Sequence, residues 1–288
     1  MTARCLIPAA GRGARLAPVT SVVPKALLPV GTRPLLQWCL TEALEAGFDE
    51  IDVVTGEGGE LLERWLESGA WREGILASVA TRAAKTEIGI IRQERPAGVV
   101  DAVLAAADWA DRAFAVFLPD NVRIAGPPPL PAALVAEAEA GGFVLAACHR
   151  VGPEARRYFG DVGRIELQSL VPSGARPAVE AIQERGAGAF RAAPEGSWRL
   201  APRVAVTAPW MDAARAVRAE AELRGTEADD VEVLRRLVER GALRAAPWSG
   251  TLVDAGHPAG YLYAQHLLHE AAAGNEGDSG EGLVSIEI

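Results

Sequence analysis

Apolar positions along the first half of the chain follow two alternating periods. "RCLIPA" is a short apolar run ending at glycines and predicts a first strand. "PLLQWCLTEALEAG" places apolar residues at helical spacing, with Pro34 at its first position and Gly47 as its stop. "EIDVVTG" reads as a second strand, "GELLERWLESG" as an amphipathic helix and "EIGIIRQ" as a third strand. "VVDAVLAAADWA" reads as a helix and "RAFAVFLPD" as a fourth strand. This rhythm predicts an α/β fold with a Rossmann-like, mostly parallel central sheet and helices on both faces. Ligands of such sheets sit beyond the carboxyl ends of the strands. That places Ala10 to Arg15, Gln93 to Gly98 and Asp120 around one crevice.

The second half predicts a smaller α+β portion. "GPPPLP" is a rigid turn and "FVLAACHR" a buried strand. Between about 151 and 207, strand-like pieces ("VGRIEL", "AVEAIQE", "RVAVTA") lie among Gly and Pro. Helices follow at Pro209 to Arg218, at Asp229 to Arg240 and in "PAGYLYAQHLLHEAAAG". The expected organisation is an α/β portion over 1–150, a second portion over 151–273 packed with it as one unit, and a flexible acidic tail over 274–288.

Composition narrows the class. The chain has 288 residues, 49% hydrophobic and 23% charged, as in a soluble globular protein. A formal charge of -9 argues against a general nucleic-acid binder. No apolar stretch is long enough to span a bilayer, and no signal peptide is apparent. Cys5, Cys39 and Cys148 have no metal-like spacing and read as buried thiols of a reducing, cytoplasmic compartment.

The candidate chemistry begins at "PAAGRGARLAPVTSVVPKALLPVGTRPLLQ". Gly11 and Gly13 permit positive φ and close backbone approach. Successive N–H groups in such a turn form an anion-binding nest. Arg12 and Arg15 add charge, and Lys25 sits in a stretch too proline-rich for a helix. No Gly-Lys-Ser/Thr follows, which excludes a Walker loop, and the spacing fails the dinucleotide fingerprint.

This stretch resembles the signature of the sugar-1-phosphate nucleotidylyltransferases, in which Gly-x-Gly-Thr-Arg is followed by Pro-Lys and a Leu-Pro-Val step. Within that family, length and motif order are most similar to the bacterial UTP–glucose-1-phosphate uridylyltransferases. The resemblance is strong over the first forty residues and scattered to about Tyr261. It implies a Mg²⁺-assisted enzyme that joins a nucleoside triphosphate (UTP favoured) to a sugar 1-phosphate (glucose 1-phosphate favoured), releasing pyrophosphate. It implies that Ala10, Gly11 and Gly13 wrap the nucleotide phosphates, with Arg15 and Lys25 neutralising their charge. In "RQERPAG", Gln93 and Gly98 match a base-binding pair, and an amide can offer a pyrimidine both a donor and an acceptor. "FLPD" and "LVDAGHPAGY" resemble the metal-binding segments, so Asp120 and Asp254 would hold Mg²⁺. "YFGDVGRI" and "AIQERGAG" resemble the sugar segments, which implies Gly160 and Glu184 on the sugar and Arg185 on its phosphate. "GTEADD" falls at a family Gly-Asp-Glu step, as a substrate or subunit contact or a solvated helix start. The apolar helices allow a homo-oligomer.

Three positions depart from the pattern. Ala14 replaces a threonine, Arg185 replaces a lysine with a planar cation, and Asp101 stands in a changed helix start near the expected nucleotide. Two other readings stay open: a glucose-1-phosphate thymidylyltransferase, because uracil and thymine present the same edge to Gln93 and differ by one methyl, and a non-catalytic nucleotide-sugar sensor, because of the changes at Ala14 and Arg185.

Overall fold

The computed structural model describes residues 3–94, 97–109, 111–152, 158, 164–169, 171–183 and 196–275. In chain order the first elements are β1 (Arg4–Pro8), β2 (Pro29–Val30), β3 (Arg33–Pro34), α1 (Leu35–Glu45), β4 (Glu50–Thr55), α2 (Glu60–Glu67) and α3 (Ala77–Ala83). Then come β5 (Ile88–Arg92), α4 (Gly98–Leu104), β6 (Phe114–Phe117), β7 (Asn121–Ala125), α5 (Ala132–Gly141) and β8 (Val144–Val151). The remainder is β9 (Arg164–Leu167), β10 (Val179–Ile182), β11 (Ser197–Val206), α6 (Ala208–Arg224), α7 (Asp230–Glu239), β12 (Leu243–Pro247), β13 (Thr251–Asp254) and α8 (Pro258–Asn275).

The main sheet is mixed around a parallel block. β5, β4, β1 and β6 lie side by side and parallel. β11 closes against β6 antiparallel, β8 against β11, and β12 runs parallel to β8. The first half of β11 also pairs with β9, which carries β10. Alternation in the parallel strands feeds two cores. Leu6, Phe114 and Val116 face α4, α6 and α7, packing with Val100, Met211 and Leu237. Cys5, Ile7, Ala115 and Phe117 face α1, α2, α3 and α5, packing with Leu40, Leu62, Val79 and Val135. The expected α/β architecture with helices on both faces is the one found. All three cysteines are buried free thiols.

Several details differ from the sequence reading. Pro34 caps α1 from outside, because its extended ψ of 148° cannot belong to a helix. α4 stops at Leu104, and α6 runs on to Arg224, where Gly225 takes a left-handed φ of 66° and ends it. The "PPPLP" turn leads into α5, whose Ala-rich sequence has a continuous helical propensity. The loop from Gly11 to Leu28 holds three single 3-10 turns, at Ala14–Leu16, Val19–Ser21 and Lys25–Leu27. Its prolines forbid a long helix but tolerate one tight turn each.

A third, smaller core fixes that loop and the second carboxylate segment. Leu28, Val30 and Leu35 pack with Val122, Val253 and Leu268. α8 clamps the β2–β3 hairpin: Gln265 donates to the Pro29 carbonyl at 2.7 Å, and the Gly31 N–H donates to Gln265 at 2.8 Å. Among the described residues no helix is long and apolar enough to cross a membrane.

Candidate active site

Two adjoining cavities open at the carboxyl ends of β1 and β6. The first, about 390 Å³, is lined by the loop from Ala10 to Ala14, by Lys25, and by Gln93, Gly98, Asp120 and Glu227. The second, about 420 Å³, is lined by Arg15, Asp120, Asp254 and apolar side chains from β11 and α7. Asp120 belongs to both. The expected crevice is therefore present, with Arg15 directed to its second compartment.

The glycines are not equivalent. Gly13 has φ 65°, and a Cβ there would stand 2.9 Å from both Lys25 Cβ and Thr20 Cγ2. Thr20 Oγ1 donates to the Gly13 carbonyl at 3.0 Å, folding the loop back on itself. Gly13 thus answers both a left-handed backbone and a close approach. Gly11 does not adopt a positive φ, and nothing lies within 4 Å of its Cβ position. Arg12 pairs with Glu57 at 3.0 Å on the surface.

The two aspartates meet through strand pairing. β13 lies antiparallel to β7 with Asp254 opposite Asn121, and the Ala255 N–H donates to the Asp120 carbonyl at 2.8 Å. Between them is a cradle floored by Gly256. A Cβ on Gly256 would stand 2.7 Å from Asp120 Oδ2, 3.0 Å from Asp254 Oδ1 and 3.2 Å from Lys25 Nζ. Lys25 donates a hydrogen bond to Asp120 Oδ2, and Asn121 donates to Oδ1 at 2.9 Å. Among the described residues no cluster of three or more metal-ligating side chains occurs. Two carboxylates at one glycine cradle match the sparse donor set of Mg²⁺, which takes its other oxygens from water and phosphate.

Burial raises the Asp120 carboxyl, but Lys25, the Asn121 amide and Arg15 outweigh it and bring it down to about 2. A pKa below the unfolded value contributes stability that is complete above about 3.9. That stability is lost as pH falls through about 2. Lys25→Met removes the main opposing charge and leaves burial dominant. The Asp120 carboxyl then titrates at higher pH, which carbonyl NMR detects; an unmoved titration would show that Lys25 is not its counter-ion.

Beneath the aspartates lie two arginines of β11 that are absent from the sequence-level site. Arg199 is fully buried, 4.0 Å from Asp254 Oδ2 and 3.4 Å from Asn121 Oδ1. Burial pulls it down to about 10 against the pull of Asp254 and Asp120, so it stays cationic at neutral pH. The neighbouring His149 is brought down to about 3 by burial and by Arg199, and is neutral. Arg203 grips Glu42 of α1 with Nε at 2.6 Å and Nη2 at 2.9 Å. It also donates to the carbonyls of Leu118 at 2.9 Å, Pro202 at 3.0 Å and Asn121 at 2.8 Å. Burial would lower this guanidinium, but the Glu42 carboxylate outweighs it and raises it. Arg203 therefore holds both shoulders of the turn that carries Asp120.

Gln93 and Gly98 line the first cavity as expected. Glu227 of the "GTEADD" segment reaches the same cavity, while Asp229 caps α7 by accepting from the Val231 N–H at 2.9 Å. His257 opens α8, with Nδ1 3.4 Å from the Gly260 N–H. Gly160, Glu184 and Arg185 lie outside the described residues.

A fold with a parallel α/β block, a glycine loop after its first strand and two carboxylates at a shared cleft defines a class of nucleotide-handling transferases. Residues 4–185 match the nucleotidyl transferase family model, well over half of the chain, and the chain belongs to that family. It is 36% identical over 138 residues to a UTP–glucose-1-phosphate uridylyltransferase of Bacillus subtilis, covering 44% of this chain and 47% of that one. It is 35% identical over 132 residues to a protein of the same name from Pseudomonas aeruginosa, covering 42% and 47%. The match spans about half the length of these curated relatives. A UDP-glucose pyrophosphorylase complexed with UDP-glucose shares the fold with a TM-score of 0.75 at 24% identity, covering 94% of this chain and all of that one. A UTP-bound enzyme of the same kind from Acinetobacter baumannii gives 0.67 at 22%, covering 95% and 94%.

Proposed function

We propose that this chain transfers a nucleotidyl group from a nucleoside triphosphate, UTP in preference, to a sugar 1-phosphate, glucose 1-phosphate in preference. The observation that carries this reading is the meeting of Asp120, Asp254 and Lys25 at the Gly256 cradle, where the two cavities join. In this reading the first cavity takes the triphosphate, and the second, where Arg15, Asp120 and Asp254 stand beside largely apolar walls, takes the sugar phosphate. The relatives' names supply the same substrates.

In this reading Ala10, Gly11 and Gly13 follow the triphosphate with backbone N–H groups, and Gln93 and Gly98 meet the base. Gly160 and Glu184 meet the sugar, and Arg185 its phosphate. The portion after residue 150 supplies the sugar site and Asp254. Asp120 and Asp254 would hold Mg²⁺, which when bound lowers the negative charge on the phosphates. The sugar phosphate is already an anion at neutral pH, so the reaction needs no general base. One of its oxygens forms a bond to the α-phosphorus, the α–β bridging bond breaks, and the electron pair leaves with pyrophosphate. The main barrier is repulsion between polyanions. Arg15, Lys25 and Arg185 offset it and stabilise charge on the α-phosphoryl oxygens.

The test is pyrophosphate release with Mg²⁺ over a grid of UTP, dTTP, CTP, ATP and GTP against several hexose 1-phosphates. Signal at UTP with glucose 1-phosphate is the expected result. A larger signal with dTTP would make the enzyme a thymidylyltransferase. Silence throughout the grid from folded protein would contradict the reading.

A further inference from the structure

Gln93 stands just past β5, in the wall between the first cavity and a third one of about 430 Å³ lined by Asp101, Arg218 and Glu222. Its Nε2 donates to Asp101 Oδ2 at 3.2 Å and, over a longer 3.4 Å, to the Gly98 carbonyl. An ionised carboxylate and a carbonyl can only accept. The opposite amide orientation would set Oε1 against two acceptors, so the partners fix which way the amide points. Asp101 is itself held. Its Oδ1 receives Arg218 Nε at 2.9 Å, and that nitrogen also lies 3.1 Å from Glu222 Oε1. Asp101 lies in the first turn of α4, where the helix dipole favours a negative charge. Gln93 is buried, with 6% of its surface exposed, which restricts the amide to this wall. The sequence-level expectation that Gln93 offers both a donor and an acceptor to a base changes accordingly. With both amide hydrogens engaged, the group left for the cleft is Oε1.

We propose that Arg218, Asp101 and Gln93 form a relay that presents an acceptor to the nucleotide base. It selects a pyrimidine whose ring edge carries an N–H, uracil or thymine, over cytosine, whose corresponding ring nitrogen is an acceptor. The inference rests on the nucleotidyl-transfer reading of the first cavity. Asp101 and Arg218 act through Gln93 and are positioning residues. Cytosine sets acceptor against acceptor and leaves both unpaired in a partly dry site, which is the situation that gives strong discrimination.

The test compares UTP and CTP binding by titration calorimetry, with Mg²⁺, on the full wild-type chain and on Asp101→Asn. Asparagine carries a donor as well as an acceptor, so the Gln93 amide can then settle either way. Wild type is expected to prefer UTP by at least about tenfold, and Asp101→Asn to reduce that ratio by about tenfold. Asp101→Ala, which frees the amide to turn, moves the ratio in the same direction. Arg218→Gln moves it less, because its pair with Asp101 is half exposed. A purely structural role for Asp101 weakens both nucleotides alike and leaves the ratio unchanged. An unchanged ratio in both Asp101 variants that still bind UTP overturns the relay alone. Failure of folded wild type to bind either nucleotide overturns the relay and the reading beneath it together.

Discussion

Asp120→Asn lowers turnover by on the order of a hundredfold or more while nucleotide affinity stays within a few-fold. Asp120 stands where the two cavities meet, and its carboxylate is kept ionised by Lys25, Asn121 and Arg15. The amide keeps the size of the side chain but loses the charge that would hold Mg²⁺ against the phosphates, and its NH₂ end can no longer accept, so only one of the bonds from Lys25 and Asn121 survives. In the proposed reading the triphosphate is held mainly elsewhere, by the glycine loop and the base site, so binding survives. The loss falls on the step in which negative charge builds at the α-phosphorus. Steady-state kinetics with separate UTP binding measures both quantities. Unchanged turnover would remove Asp120 from the metal role, and an equal loss in binding and turnover would make it a simple binding residue.

Arg203→Met destabilises the fold by about 3–5 kcal/mol, because it leaves the buried Glu42 carboxylate with only the longer, 3.9 Å approach of Arg123. The more informative variant is Arg203→Met combined with Glu42→Met. An apolar pair of similar volume often restores the stability of a buried ion pair, so the melting temperature recovers. Turnover does not recover. The carbonyls of Leu118 and Asn121 have lost the donor that braced the Asp120 turn. A small misplacement of a positioned group can cost about a hundredfold in rate. Thermal unfolding and kcat on the same samples separate the two effects. Full recovery of both would reduce Arg203 to a stability element.

The residues that line the first cavity were legible because their signals are local. The loop from Ala10 to Lys25 is one continuous stretch, and Gln93 and Asp120 each follow an apolar run that reads as a strand. Asp254 was placed by resemblance alone. Its approach to Asp120 depends on the β7–β13 pairing between residues 121 and 254, and no local pattern encodes that register. Both strands escaped the sequence reading because "NVRIA" and "TLVD" are short and flank turns.

Arg199 and Arg203 were missed for a sharper reason. Along β11 the arginines occupy the buried positions, while Leu200 and Val204 line the second cavity. The usual inference from apolar to inside finds the face of Leu200 and Val204, which packs on the first core, and misses that the arginine face is buried more deeply. The signal was available as an alternating strand with charged residues on one face. Such a conflict between local pattern and burial marks functional sites. Gln93 shows a different limit: its type and place were legible, but its amide orientation depends on Asp101 from the following helix.

The central claim is transfer rather than binding. The most direct measurement is product analysis by chromatography and mass spectrometry after incubation with UTP, glucose 1-phosphate and Mg²⁺. The account predicts UDP-glucose and pyrophosphate in equal amounts, formed only when both substrates are present and lost in Asp120→Asn. Tight binding of UDP-glucose with no product formed by the folded wild-type chain would contradict it and identify a sensor.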